Sequence, residues 1–233
     1  ALSLFGLVAA AEHAERLSEY FFATIEPRAF EDRYRWLLAI QTMSAHSEAM
    51  NSFVASQFHA DEWMLRAMAV RLRPHEPNTS QLLVDPVARV RIAALTALND
   101  PQHFQAALAD RAPSVRAFAI EHSPEDAAVA DLLHDRSAQV RRAAIEWHTR
   151  HTQPILSIRE TLADRAEWPE VLAAAIEHTA RLCLFSHQDQ LEALVSRGLR
   201  ADAWPPAIDV ASQAAVALYH LGAPALVQLR QRS

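Results

Sequence analysis

Two Glu-His dipeptides, Glu121-His122 and Glu177-His178, occupy equivalent places along the chain and raise the first chemical question. Carboxylate and imidazole together are common ligands of a transition metal. Adjacent residues on a helix point in different directions, however, so neither dipeptide turns both groups toward one ion. Trp147 interrupts the column where a third pair would fall, and no HExxH occurs. The chain also lacks a Gly-rich phosphate loop, a nucleophile elbow and a CxxC motif. No catalytic residue, metal or cofactor is therefore assigned, His122 and His178 are expected to be packing histidines, and a binding protein is favoured over an enzyme. What remains is a column of carboxylates, Glu121, Glu146 and Glu177, whose chemistry is attraction of a basic partner segment. Beside it stands a set of indoles, Trp147, Trp168 and Trp204, a residue type favoured at binding hot spots and also a common filler of cores and turns.

These groups act together only if the chain brings them into register, and the sequence contains a register. DPVARVRIAAL from Asp85, DRAPSVRAFAI from Asp110 and DRSAQVRRAAI from Asp135 begin 25 residues apart. A looser copy from Asp164 follows after 29 residues, with two residues inserted before its valine, and another echo surrounds Asp202. Between the aspartates, Asp100-Pro101, Ser123-Pro124 and Gln153-Pro154 place proline where a first helical turn tolerates it. Each segment thus reads as a short helix, a tight turn at the aspartate and a second helix.

Counted from each aspartate as zero, positions +5, +8, +9 and +12 are mostly apolar and should face the neighbouring helices. Positions +4, +7 and +11 share the opposite face of the second helix. That face holds Arg89, Ile92 and Thr96, then Ser114, Ala117 and Glu121, then Gln139, Arg142 and Glu146. Aligning the fourth copy on Val171 adds Glu170, Ala173 and Glu177. The face is mixed to acidic, the wrong polarity for gripping phosphates.

The pattern L-x-D-x4-V-R-x2-A at this spacing resembles HEAT-like repeats, in particular the short bacterial leucine-rich-repeat-variant type, over about residues 82–185. The matching residues are Asp85, Val90 and Arg91; Asp110, Val115 and Arg116; Asp135, Val140 and Arg141. At Asp164 the valine survives as Val171, and Leu172 replaces the arginine. The resemblance implies an all-α protein, a right-handed α-solenoid of short helical repeats. Asp85, Arg91, Asp110, Arg116, Asp135, Arg141 and Asp164 would form a structural ladder of turn caps and ion pairs between successive units. Such families include adaptors, assembly factors and a few enzymes. HEAT-repeat hydroxylases hold a di-iron site with His-Glu pairs, but the order here is reversed. HEAT-like DNA glycosylases are similar in size, and Asp61, Trp63 and Arg66 could be imagined in their lesion pocket. Such enzymes need a basic groove.

Composition bounds the rest. With 51% hydrophobic residues, three glycines and 7% aromatics among 233 residues, the chain is neither disordered nor β-rich. All 22 basic residues are arginine, and the formal charge of −6 argues against a general nucleic-acid binder. The single cysteine, Cys183, lies between two leucines, is expected to be buried, and suits a reducing compartment. Ala1 to Ala11 is apolar but too short to span a bilayer and has no basic leader, so no membrane is expected and a cytoplasmic, bacterial setting is. Helices are expected at about 2–22, 28–45, 47–59 and 61–73. RPHEPNTS at 73–80 marks the division between an irregular helical N-terminal cap, 1–80, and the repeats, 81–233, within one continuous structural unit. The expected function is a non-catalytic scaffold or adaptor. Its partner-binding residues are Glu121, Glu146, Glu177, Arg89, Arg142, Trp147, Trp168 and Trp204, and its partner is another protein, not nucleic acid.

Overall fold

The computed structural model describes residues 29–42, 48–124, 126–198 and 205–222, and among these residues every regular element is helical. Contacts divide the chain into two compact units, Ala1–Phe104 and Gln105–Ser233. The expected helix at 2–22 and Trp204 lie outside the described residues.

In the first unit, α1 (Phe30–Thr42), α2 (Glu48–Ser56), α3 (Trp63–Leu72) and α4 (Ala88–Leu98) surround one core that includes Leu37, Met50, Val54, Phe58, Leu65 and Val90. A 3-10 segment, Pro77–Val84, packs on α4. Its first four residues fall in the stretch expected to divide the chain, 73–80. Helix α5 (Pro101–Ala107) straddles the division, and its N-terminus is capped by Asp100, whose Oδ1 accepts the Gln102 N–H at 2.8 Å.

The second unit holds α6 (Pro113–His122), α7 (Asp126–Ala130), α8 (Ala138–Arg150), α9 (Ile158–Ala163), α10 (Pro169–Arg181), α11 (Gln188–Gly198) and α12 (Pro205–His220). Helices α6, α8, α10 and α12 pack in succession, and α7, α9 and α11 pack beside them. Pro154 does not start a helix: α9 begins at Ile158.

Sequence explains why these helices lie close. The +5 residues Val90, Val115, Val140 and Val171 and the +9 residues Ala94, Ala119, Ala144 and Ala175 are all fully buried. A β-branched side chain followed four residues later by a methyl makes one stripe on the helix. The small residue lets the neighbouring backbone approach, and the valine fills the space beside it.

The turn before each second helix is built the same way. Asp85, Asp110, Asp135 and Asp164 each accept the N–H two residues on, at 2.8, 2.7, 2.7 and 2.8 Å. The arginine at +6 then bends back, and its Nη1 donates to the carbonyl of residue zero: Arg91 to Asp85 at 2.6 Å, Arg116 to Asp110 at 2.8 Å, Arg141 to Asp135 at 2.7 Å. The chain makes this turn once more upstream, where Arg66 donates to the Ala60 carbonyl at 2.7 Å. Ala60, Leu65, Arg66, Ala69 and Val70 stand 25 residues before Asp85, Val90, Arg91, Ala94 and Leu95. The register therefore reaches into residues expected to be irregular, with alanine in the aspartate's place.

For Arg66, Arg116 and Arg141 the other edge of the guanidinium reaches a carboxylate further along the chain. Arg66 grips Asp85 through two bonds of 2.7 and 3.0 Å, and Arg116 grips Asp135 through two of 2.9 and 2.8 Å. All four side chains are largely buried. Burial alone would raise the Asp135 carboxyl; the Arg116 bonds, the Ser137 N–H and the charges of Arg116 and Arg136 outweigh it and hold it below the ordinary carboxylate value. Arg141 departs from the expected ladder. Its partner is Glu167, not Asp164, because the two inserted residues carry that glutamate into the position Asp135 takes for Arg116. Asp164 still makes the turn.

Candidate functional site

Among the described residues, the +7 and +11 positions of α8 and the +4, +7 and +11 positions of α10 converge on one groove. Arg142 and Glu146 of α8, Glu170, Ala173 and Glu177 of α10, and Ser212, Val216 and His220 of α12 line a cleft of about 640 Å³. Its floor is Ala174, Ile176, Ala180 and Ala217. Residues scattered over 79 positions of sequence meet because α8, α10 and α12 pack in succession with the same face exposed.

The groove is acidic and apolar. Among the described residues, Glu146 and Glu177 pair with neighbours on their own helices, Arg142 at 3.3 Å and Arg181 at 3.6 Å, with all four side chains about half exposed. Such pairs contribute only a few tenths of a kcal/mol, about 0.3–0.5 each, and hold the carboxylates weakly. Val216 is 56% exposed, a large apolar surface at the groove edge. Glu121, the third carboxylate of the expected column, is exposed on α6 and does not line this cleft.

The indoles separate. Trp147 is a correction to the expected surface set: it is 2% exposed, donates its Nε1–H to the Ser123 carbonyl at 3.0 Å, and stacks on His151 at 3.9 Å. Position +12 turns it inward, where its N–H must find a buried acceptor. Trp168 is 60% exposed at the start of α10, and its backbone N–H donates to Glu167 Oε1 at 2.8 Å.

Arg89 belongs to the first unit, where its guanidinium lies 5.3 Å above the Trp63 ring. Both line a hollow of about 390 Å³ with Tyr34, Met64, Met68 and Arg71. Trp63, Tyr34 and Arg71 carried no repeat signal downstream of Asp85. The register at Ala60 would have found Arg71, which is its +11 residue. A larger cleft in the same unit, about 760 Å³, includes Phe30, Phe58, Asp61, Glu62, Trp63 and Arg66. Arg66 is committed there to Asp85 and to two carbonyls, and Arg33 holds Glu62 at 2.7 Å.

The histidines follow different chemistry from each other. His122 is exposed, with Nδ1 2.9 Å from the Phe118 carbonyl. His178 is fully buried. The Thr149 hydroxyl gives its one proton to the Ile145 carbonyl at 2.7 Å, so the His178 Nδ1–H must donate to Thr149 Oγ1 at 2.9 Å. The Nε2 lone pair then faces the Ile155 N–H at 3.4 Å. Burial, then the nearby His148 and His187, lower His178 to about 4, so the ring is neutral at pH 7. Among the described residues, no three His, Cys, Asp or Glu side chains are grouped to hold a metal.

Cys183 is exposed, contrary to the expectation drawn from its leucine neighbours. It ends α10 at φ +52°, and the left-handed turn carries its side chain out of the helix packing. Comparison of the chain with family models, with curated proteins and with solved structures finds no match. No described helix is long and apolar enough to cross a membrane.

Proposed function

We propose that this chain is a protein-interaction scaffold, built as a right-handed α-solenoid of short HEAT-like repeats and working in the bacterial cytoplasm, which grips a basic segment of a partner protein. One observation carries the reading. Arg142, Glu146, Glu170, Ala173 and Glu177, picked by spacing alone, line a single groove with an apolar floor and a carboxylate rim. The apolar floor accepts aliphatic stems, and the rim meets the charges at their ends, as a helix or extended segment laid in a groove requires. The recurrent Asp turn and Arg clamp support the repeat reading, because they give successive helices the same pitch.

The test is affinity capture from the native cell lysate with the wild-type chain and the Glu121→Arg/Glu146→Arg/Glu177→Arg variant as baits. The expected result is one stoichiometric protein retained by the wild type and lost by the variant, whose helical signal is unchanged. Equal retention by both baits removes this face as the binding surface.

A further inference from the structure

The hollow of the first unit has the opposite polarity to the groove of the second, and its arginines are the exception in their surroundings. Arg33 is held by Glu62, Arg35 by Asp32, Arg66 by Asp85 and Arg73 by Glu76, while Arg91 donates to the carbonyls of Asp85 and Pro86. Arg71 and Arg89 line the hollow, both exposed, and neither has a carboxylate within ion-pairing distance among the described residues. A guanidinium left without a counter-charge in an acidic protein, and already stacked on an indole, is prepared for an anion. The walls beside the two cations are Trp63, Tyr34, Met64 and Met68, an aromatic and thioether surface that adapts to an apolar side chain.

We infer that this hollow is a binding site for an acidic peptide segment, in which an Asp or Glu side chain meets Arg71 and Arg89 and an adjoining apolar side chain lies against Trp63 and the methionines. A nucleic-acid strand fits less well. The cleft that shares Trp63 and Met64 with the hollow carries Asp61, whose carboxylate repels successive phosphates but leaves a single carboxylate on the arginine side undisturbed. The site is separate from the acidic groove of the second unit and asks for a ligand of opposite charge.

The experiment is selection of random dodecapeptides displayed on phage against the full chain, with counter-selection on the Arg71→Ala/Arg89→Ala variant. The expected peptides carry Asp or Glu beside Leu, Phe or Trp. A synthetic peptide of that class, followed by fluorescence anisotropy, should lose affinity about tenfold for each arginine removed, as charge-assisted bonds do. Both arginines are exposed, so the thermal midpoint of the variant should match the wild type. Ile92→Glu, which places a carboxylate on the hollow's wall while keeping both arginines, should also abolish binding. Failure to recover an acidic, apolar class, or peptides that bind the arginine variant equally well, overturns the inference. So does tighter, arginine-dependent binding of a twelve-residue thymidine oligonucleotide, which would make the site a nucleic-acid contact. Peptides for the groove of the second unit are basic, so loss of one class leaves the other measurable.

Discussion

Acid should weaken the second unit through one buried ring. His178 joins three parts of that unit, being carried on α10, donating to Thr149 of α8 and accepting the N–H of Ile155 before α9. Protonation at Nε2 removes that acceptor, turns an N–H toward another N–H, and places a charge among His148, His187 and the core. The unfolded chain takes up the proton near 6.5 and the folded protein only near 4, so the unfolded state holds more protons between those values. Stability from this ring is fully present above pH 6.5 and is lost as pH falls toward 4. A displacement from 6.5 to about 4, at roughly 1.4 kcal/mol per pH unit, amounts to about 3 kcal/mol. The assay is urea unfolding followed by circular dichroism at intervals from pH 7 to 4.5, on the wild type and on His178→Gln. Other groups titrate in both proteins, so the difference between them isolates this ring. That difference should change by about 1.4 kcal/mol per pH unit below pH 6. A difference independent of pH would refute the placement of a neutral, buried imidazole at this position.

Other predictions rest on the turns and the helix contacts. Arg116→Met should cost about 3–5 kcal/mol in chemical denaturation at pH 7, because it leaves Asp135 buried without its counter-charge. The cost should shrink in acid as that carboxyl protonates. Ala144→Leu should destabilise by about 1–3 kcal/mol in the same assay, since a fully buried methyl where α8 meets its neighbours has no room for a larger group. Cys183 should react stoichiometrically with a disulfide reagent in the folded protein without denaturant, and slow labelling would place the thiol back in the core.

Much of the helical layout was legible because it depends on period and volume. Val140 and Ala144 lie four residues apart on one helix face, and the same pair of residue types at Val90 and Ala94 gave the register. The aspartate turns were legible for a local reason, since a side-chain oxygen two residues before an N–H needs nothing from the rest of the chain. What the pattern hid was long-range. Glu167 replaces Asp164 as the partner of Arg141 because of an insertion whose geometric consequence no spacing rule states. Arg66 was hidden because Ala60 stands where the eye looks for aspartate, although the carbonyl that Arg66 grips belongs to any residue. The groove face was legible on α8 and α10, where Glu146 and Glu177 repeat, but not on α12, whose Ser212 and Val216 lie beyond the recognisable register. Trp147 fitted either a binding surface or the core by residue type alone, and the Ser123 carbonyl that takes its indole N–H, far away in sequence, decides for the core.

The central claim is that the cleft between α8, α10 and α12 holds a partner protein. It is tested most directly by a photoreactive benzoylphenylalanine placed at Ala173, inside the cleft, and compared with one at Leu156, which is 97% exposed and does not line it. On irradiation in the native cell, the account predicts a single covalent adduct from position 173 and none from position 156. Adducts of equal yield from both positions, or no adduct from 173, would contradict it.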